Sequence, residues 1–146
     1  MFVLTTLEDN TFNTRWPVGH LFLFCTMLNE QQLHNTAMEV VGKQLEEDGF
    51  EFMTVNSELK KDPQFVCLKD KKLHFVIVRA VQYPSNPTQY DGILMEKVRA
   101  NAEKFEARTY FAGVGLAHAD DYELPLTQDA PFAINYQGLQ EITLHG

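Results

Sequence analysis

Leu33, Ala37, Val40, Val41 and Leu45 recur at the three-and-four spacing of a single helix face, with Glu39, Lys43 and Glu46 between them. Asn29 stands ahead of this run as an N-cap, and Gln32 follows three positions on, the spacing of a capping box. Asp48-Gly49 supplies the stop, because glycine just past a helix end accepts a positive φ. The pattern therefore predicts an amphipathic helix over 30–48. Beyond it the period changes. Residues 50–55 (FEFMTV) read as a strand, 56–62 as a polar loop and 64–68 as a second strand. Lys69-Asp70-Lys71-Lys72 is a charged turn and 73–81 (LHFVIVRAV) a third strand, so the last two strands make a hairpin. The third strand is apolar on both alternating faces apart from His74 and Arg79, which predicts a strand inside the sheet with both sides covered.

Pro84, Ser85, Asn86 and Pro87 mark a loop between Tyr83 and Tyr90. Over 91–107 the helical period returns, with Leu94, Val98, Ala102 and Phe105 on one stripe. Glu96, Lys97, Arg99, Glu103 and Lys104 take the other side. Residues 109–116 (TYFAGVGL) read as a fourth strand whose Gly113 and Gly115 share one side, where glycines let another backbone approach closely. Short strands at 132–136 and 141–144 complete the series. The predicted fold is α/β. It is a single-domain sandwich with an α-β-β-β-α-β core, a mixed sheet flanked by helices, and strand additions at both ends.

Val18–Leu28 (VGHLFLFCTML) is the most apolar run, but it is eleven residues long and broken by His20. A membrane-spanning helix needs about 20 apolar residues, so the run reads as a strand or packing segment. The opening residues carry Glu8 and Asp9 against Arg15 alone, unlike the basic start of a signal peptide. Residues 1–28 are read as an N-terminal extension to a domain spanning 29–146, with Met27 as an alternative start.

Composition narrows the function classes. The chain has 146 residues, 45% of them apolar, with 12 basic and 20 acidic side chains and a net charge of −8. That length suits one domain and one core, and the composition fits neither disorder nor a disulfide scaffold. An acidic chain does not suit coating nucleic acid or an anionic membrane. The charge is uneven, however: Lys60–Arg108 holds ten basic and six acidic residues, and the remainder two and fourteen. A basic middle is either a solvated set of helix and turn lysines or the remnant of a phosphate-facing surface.

Candidate chemistry is sparse. Cys25 and Cys67 lie forty-two positions apart and in no C-x-x-C pair, so they read as reduced structural thiols. No zinc, iron–sulfur or other metal site, and no cofactor, is expected from them. Gly113-x-Gly115 falls inside a strand and lacks a third glycine, unlike a dinucleotide fingerprint. His74, beside Phe75 on a buried strand, reads as a core histidine, and His20, His34, His118 and His145 share no motif. Arg79 reads either as an anion contact or as a strand-end cation neutralised by a nearby acid.

The helix leading into Gly49-Phe50, the Asn56 that ends the next strand, and the hairpin finishing Val76-Ile77-Val78-Arg79 form a recognisable order. With the charged helix and aromatic-rich strand that follow, it resembles the restriction-endonuclease-like PD-(D/E)xK fold over Asn29 to Ala117. The likeness is greatest to the small resolvase-like bacterial branch. That resemblance implies an early metal-binding carboxylate in the hairpin and a second one two residues before a lysine. The spacing of two places that pair on one face of a strand. The carboxylates would hold Mg²⁺, which activates a water, while the lysine stabilises charge on phosphate. In this sequence the strand pair falls on Ile77 and Arg79 and the early acid on Gln64, with Asp62 as the nearest carboxylate. Ile77 has no oxygen and Gln64 no charge, so the resemblance carries a degenerate site with no catalytic residue. Glu39 and Glu96 are the helix carboxylates that could replace the missing ligands.

The segments 60–81 and 96–117 are also similar to short bacterial chains that carry the name of the Na⁺-translocating NADH:quinone reductase, as its cofactor-bearing component. That name implies a cluster-binding cysteine set with flavin and nicotinamide sites, for which this chain has neither the cysteines nor the length. The expectation is a cytoplasmic, non-catalytic protein with a binding or assembly role and an unknown partner. The apolar third strand also allows a homodimer through an edge or helix. The alternative is a metal-dependent nuclease with migrated ligands.

Overall fold

A computed structural model describes residues 2–4, 28–128 and 130–143. The order is β1 (Phe2–Leu4), α1 (Glu30–Glu47), β2 (Glu51–Val55), β3 (Phe65–Lys69), β4 (Lys72–Gln82), α2 (Gly92–Glu103), β5 (Arg108–His118), β6 (Phe132–Tyr136) and β7 (Gln140–Ile142). The seven strands form one mixed sheet in the order β1-β6-β5-β4-β3-β2, with β7 pairing β5 off that path. Only β4 and β5 are parallel, joined by the α2 crossover, and every other pairing is antiparallel. This is the α/β sandwich that the hydrophobic pattern predicts.

The alternation along β4 and β5 fixes the layers. Val76 and Val78 of β4 and Ala112, Val114 and Leu116 of β5 pack with Leu33, Ala37, Val41 and Leu45 of α1. Ile77 and Phe111 point the other way and pack with Met95 of α2 and Ile142 of β7. Helix α1 begins with the predicted capping box, the Asn29 side chain accepting from the Gln32 amide while Gln32 accepts from Asn29. The β3–β4 hairpin closes through Asp70 (φ 53°) and Lys71 (φ 64°), the paired positive φ values of a two-residue I′ connection.

Some expectations shift. Helix α2 ends at Glu103, short of 107, and its stripe is misread at two positions. Phe105 lies beyond the helix and is 57% exposed, tilted against Phe75, whereas α2 buries Met95 together with the expected Ala102. The last strand is Gln140–Ile142, one residue earlier than expected, and position 144 is outside the described residues. Most of the apolar run at 18–28, with Cys25 and His20, also lies outside them. No described helix is long and apolar enough to cross a membrane.

The two glycines of β5 have a definite task. A Cβ on Gly113 would sit 1.8 Å from the Pro87 carbonyl oxygen, and one on Gly115 3.3 Å from the Pro87 ring. The 83–90 loop therefore lies directly on the β5 backbone, with Pro87 buried.

Candidate functional site

Four residues expected to mark the degenerate site, Asp62, Gln64, Ile77 and Arg79, come from the root of the β3–β4 hairpin, and three of them meet. The β3–β4 ladder pairs Phe65 with Val76 and runs out just before Gln64. The Gln64 backbone N–H still donates to the Val76 carbonyl (3.0 Å). One step further the Gln64 side chain replaces the missing strand, its Oε1 accepting from the Val78 amide at 2.7 Å. Its Nε2 donates to the Lys61 carbonyl and to Asp62 Oδ1, each at 3.0 Å. Gln64 is fully buried, and a carboxamide head can accept from Val78 and donate to Asp62 at once.

Asp62 is engaged on both oxygens. Arg79 Nη1 donates to Oδ1 and Nη2 to Oδ2, each at 2.9 Å, the parallel fork that guanidinium geometry favours. Arg79 Nη1 also donates to the Val78 carbonyl. The two side chains are 12% (Asp62) and 23% (Arg79) exposed. Burial pushes the Asp62 carboxyl up, but the Arg79 fork and charge, the Gln64 donor and His34 outweigh it and hold the group below its ordinary value. Asp62 is thus a carboxylate with both oxygens already engaged. Arg79 is the strand-end cation neutralised by a nearby acid.

Ile77 stays apart. It is fully buried beneath α2 with Met95 and Phe111, two residues before the rim that Arg79 occupies. Glu39 is exposed on α1, and Glu96 is gripped by Arg99 on the surface of α2. Among the described residues, no three His, Cys, Asp or Glu side chains gather as a metal would require.

The structure adds one residue that spacing did not single out. His34 of α1 is 2% exposed, and its Nε2 has no hydrogen-bond partner. Burial lowers its pKa, Arg79 lowers it further, and Asp62 opposes both. The cationic form of the ring is therefore disfavoured there. The signal was present in its position, one residue after Leu33 on the apolar face of the helix. His74 is buried between the rings of Phe50 and Tyr110, as a core histidine. Cys67 is fully buried, and burial pushes its thiol up to about 11, so it is no nucleophile at neutral pH.

A hollow of about 450 Å³ lies beside the pair, lined by Asp62, Pro63, Lys97, Val98, Asn101 and Lys104. Its two lysines give it a cationic wall. What the arrangement can do chemically is hold the hairpin root shut and present positive charge beside it.

Comparison with known families places the chain. Residues 31–142 match the family described as Domain of unknown function (DUF8840), and the chain belongs to it. No curated protein and no solved structure matches the chain.

Proposed function

We propose that this member of the DUF8840 family is a non-catalytic binding or assembly protein on a restriction-endonuclease-like scaffold. The observation that carries the reading is the closed Asp62–Arg79 fork with Gln64 beneath it. A metal-dependent phosphodiesterase needs carboxylate oxygens open toward a cation and a water. Here the carboxylate at the hairpin root is consumed by a guanidinium, and the position two residues before that cation is a core isoleucine.

The test is nicking of supercoiled plasmid by the purified chain with Mg²⁺ and with Mn²⁺. The expected result is no cleavage above a metal-free control. Cleavage abolished by Asp62→Ala would overturn the reading and favour a nuclease with migrated ligands. The same preparation tests the likeness to an NADH:quinone reductase component, since a flavin or iron–sulfur cluster absorbs visible light and this chain is expected to be colourless.

A further inference from the structure

We propose that β2 is a self-docking strand, through which two copies of the chain join antiparallel into one continuous sheet. The pairing names a partner for the assembly role above and rests on that reading.

Strand β2 ends the sheet, and among the described residues nothing pairs with its outer edge. All five of its residues are exposed, including Phe52 (38%), Met53 (56%) and Val55 (52%). A bare edge of apolar residues is a template for another strand. Of the devices that blunt such edges, β2 has a bulge at Met53 and one charge, Glu51 at its entrance, but carries neither proline nor lysine.

That bulge has a consequence for the partner. Phe52 opposes Cys67 and Val55 opposes Phe65, so the extra residue brings Phe52 and Val55 onto the same face. Strict alternation would have placed Phe52 with Thr54 instead. Phe52 already stacks on Phe65 at 5.4 Å, and the two side chains form a short apolar ledge beside it. Antiparallel pairing that sets Phe52 against Val55 of a second copy joins both ledges across the twofold axis.

Charge selects a second copy in that orientation. Exposed Glu46, Glu47, Asp48 and Glu51 lead into β2, with Lys69 and Lys71 of the β3–β4 turn beside Glu51, and exposed Glu58, Lys60 and Lys61 follow it, so the entrance is net acidic and the exit net basic. An antiparallel twofold pairing puts the acidic entrance of each copy beside the basic exit of the other, whereas a parallel pairing stacks like on like. A strand that is acidic at one end and basic at the other is complementary to itself only when reversed.

Light-scattering mass during gel filtration of the full chain, from dilute to concentrated, tests the pairing. The expected result is a concentration-dependent dimer that the double variant Met53→Lys/Val55→Lys converts to monomer with an unchanged circular dichroism spectrum. Lys60→Glu/Lys61→Glu should weaken dimerisation about tenfold at low salt, and adding Glu46→Lys/Glu47→Lys should restore it. If the lysine double variant fails to fold, hydrogen exchange of the native chain decides. The β2 amides gain protection with concentration if the edge is the interface, and their indifference overturns it. A monomer at every concentration, or a dimer untouched by the β2 changes, also overturns it. Plasmid nicking is independent: a monomer that does not nick sinks the pairing alone, and a dimer that nicks sinks the non-catalytic reading alone.

Discussion

Two of the arginine–carboxylate pairs among the described residues, Arg79–Asp62 and Arg99–Glu96, have opposite meanings. Arg79 reaches Asp62 across seventeen positions, tying β4 to the loop before β3, and both side chains are largely buried. Arg99 reaches Glu96 three positions away on the same helix, and the Glu96 side chain is half exposed. In the first pair the charges have left water, so each depends on the other and on the Gln64 amide. In the second, water and salt compete with the bond, and the helix would form without it. The same functional groups close a hairpin root in one place and decorate a surface in the other. Burial and sequence separation, not chemistry, make the difference.

That contrast can be tested from its largest expected effect downward. The upper bound comes from a position where charge plays no part. Gly113→Ala drives a Cβ into the Pro87 carbonyl, a backbone atom that cannot swing aside, and is expected to cost more than about 4 kcal/mol or to abolish folding. Soluble expression and urea denaturation measure it, and a near-native midpoint would show that the 83–90 loop is free to lift.

Asp62→Ala comes next. It strands the Arg79 guanidinium and removes an acceptor from Gln64, for an expected loss of about 3 kcal/mol, or roughly 10 °C in Tm. Adding Arg79→Met should recover part of that loss, because the damage lies in the orphaned charge. Thermal melts of the single and double variants decide; equal losses would mean that the pair itself supplies the stability.

Acid should expose the same node. His34 has a folded pKa below its ordinary 6.5, so the unfolded chain binds that proton more readily, and stability falls as pH drops below 6.5. Asp62 is also depressed, and its contribution is lost further down, as pH falls below its ordinary 3.8. Denaturant midpoints across this range should fall in two stages, and His34→Gln should reduce the upper one, leaving the share of His74, which burial also holds below 6.5. The smallest effect is expected from Glu96→Gln, with a Tm shift well below that of Asp62→Ala and one that shrinks further in salt. A shift as large as that of Asp62→Ala would erase the contrast.

Much of this architecture is legible in the residues, for identifiable reasons. Helix α1 carries a local code, with a capping box at one end, a glycine at the other and one apolar stripe between them. The β3–β4 hairpin and the buried β4 follow from a charged turn beside a β-branched run. Gly113 and Gly115 announce a close backbone approach, although not that Pro87 makes it. Where periodicity misled, the cause was a competing contact. Phe105 fits the helical period, but the chain turns after Glu103 and leaves its ring against Phe75. Met95 lay off the chosen stripe, yet it is buried against Ile77, Phe111 and Ile142.

The candidate site divides in the same way. The expected endonuclease likeness marked Asp62, Gln64, Ile77 and Arg79 as positions of interest, and the residue types alone show that Gln64 and Ile77 carry no carboxylate, because isoleucine has no polar atom and glutamine no charge. The sequence also set the acidic balance and the basic middle, which are simple counts. Only the tertiary structure decided that Asp62 turns to Arg79 and that Gln64 stands in for a strand at Val78. These are contacts between segments far apart in the chain. Spacing governs the face on which a side chain emerges from its own element; the fold governs which other element waits there and how much water remains between them.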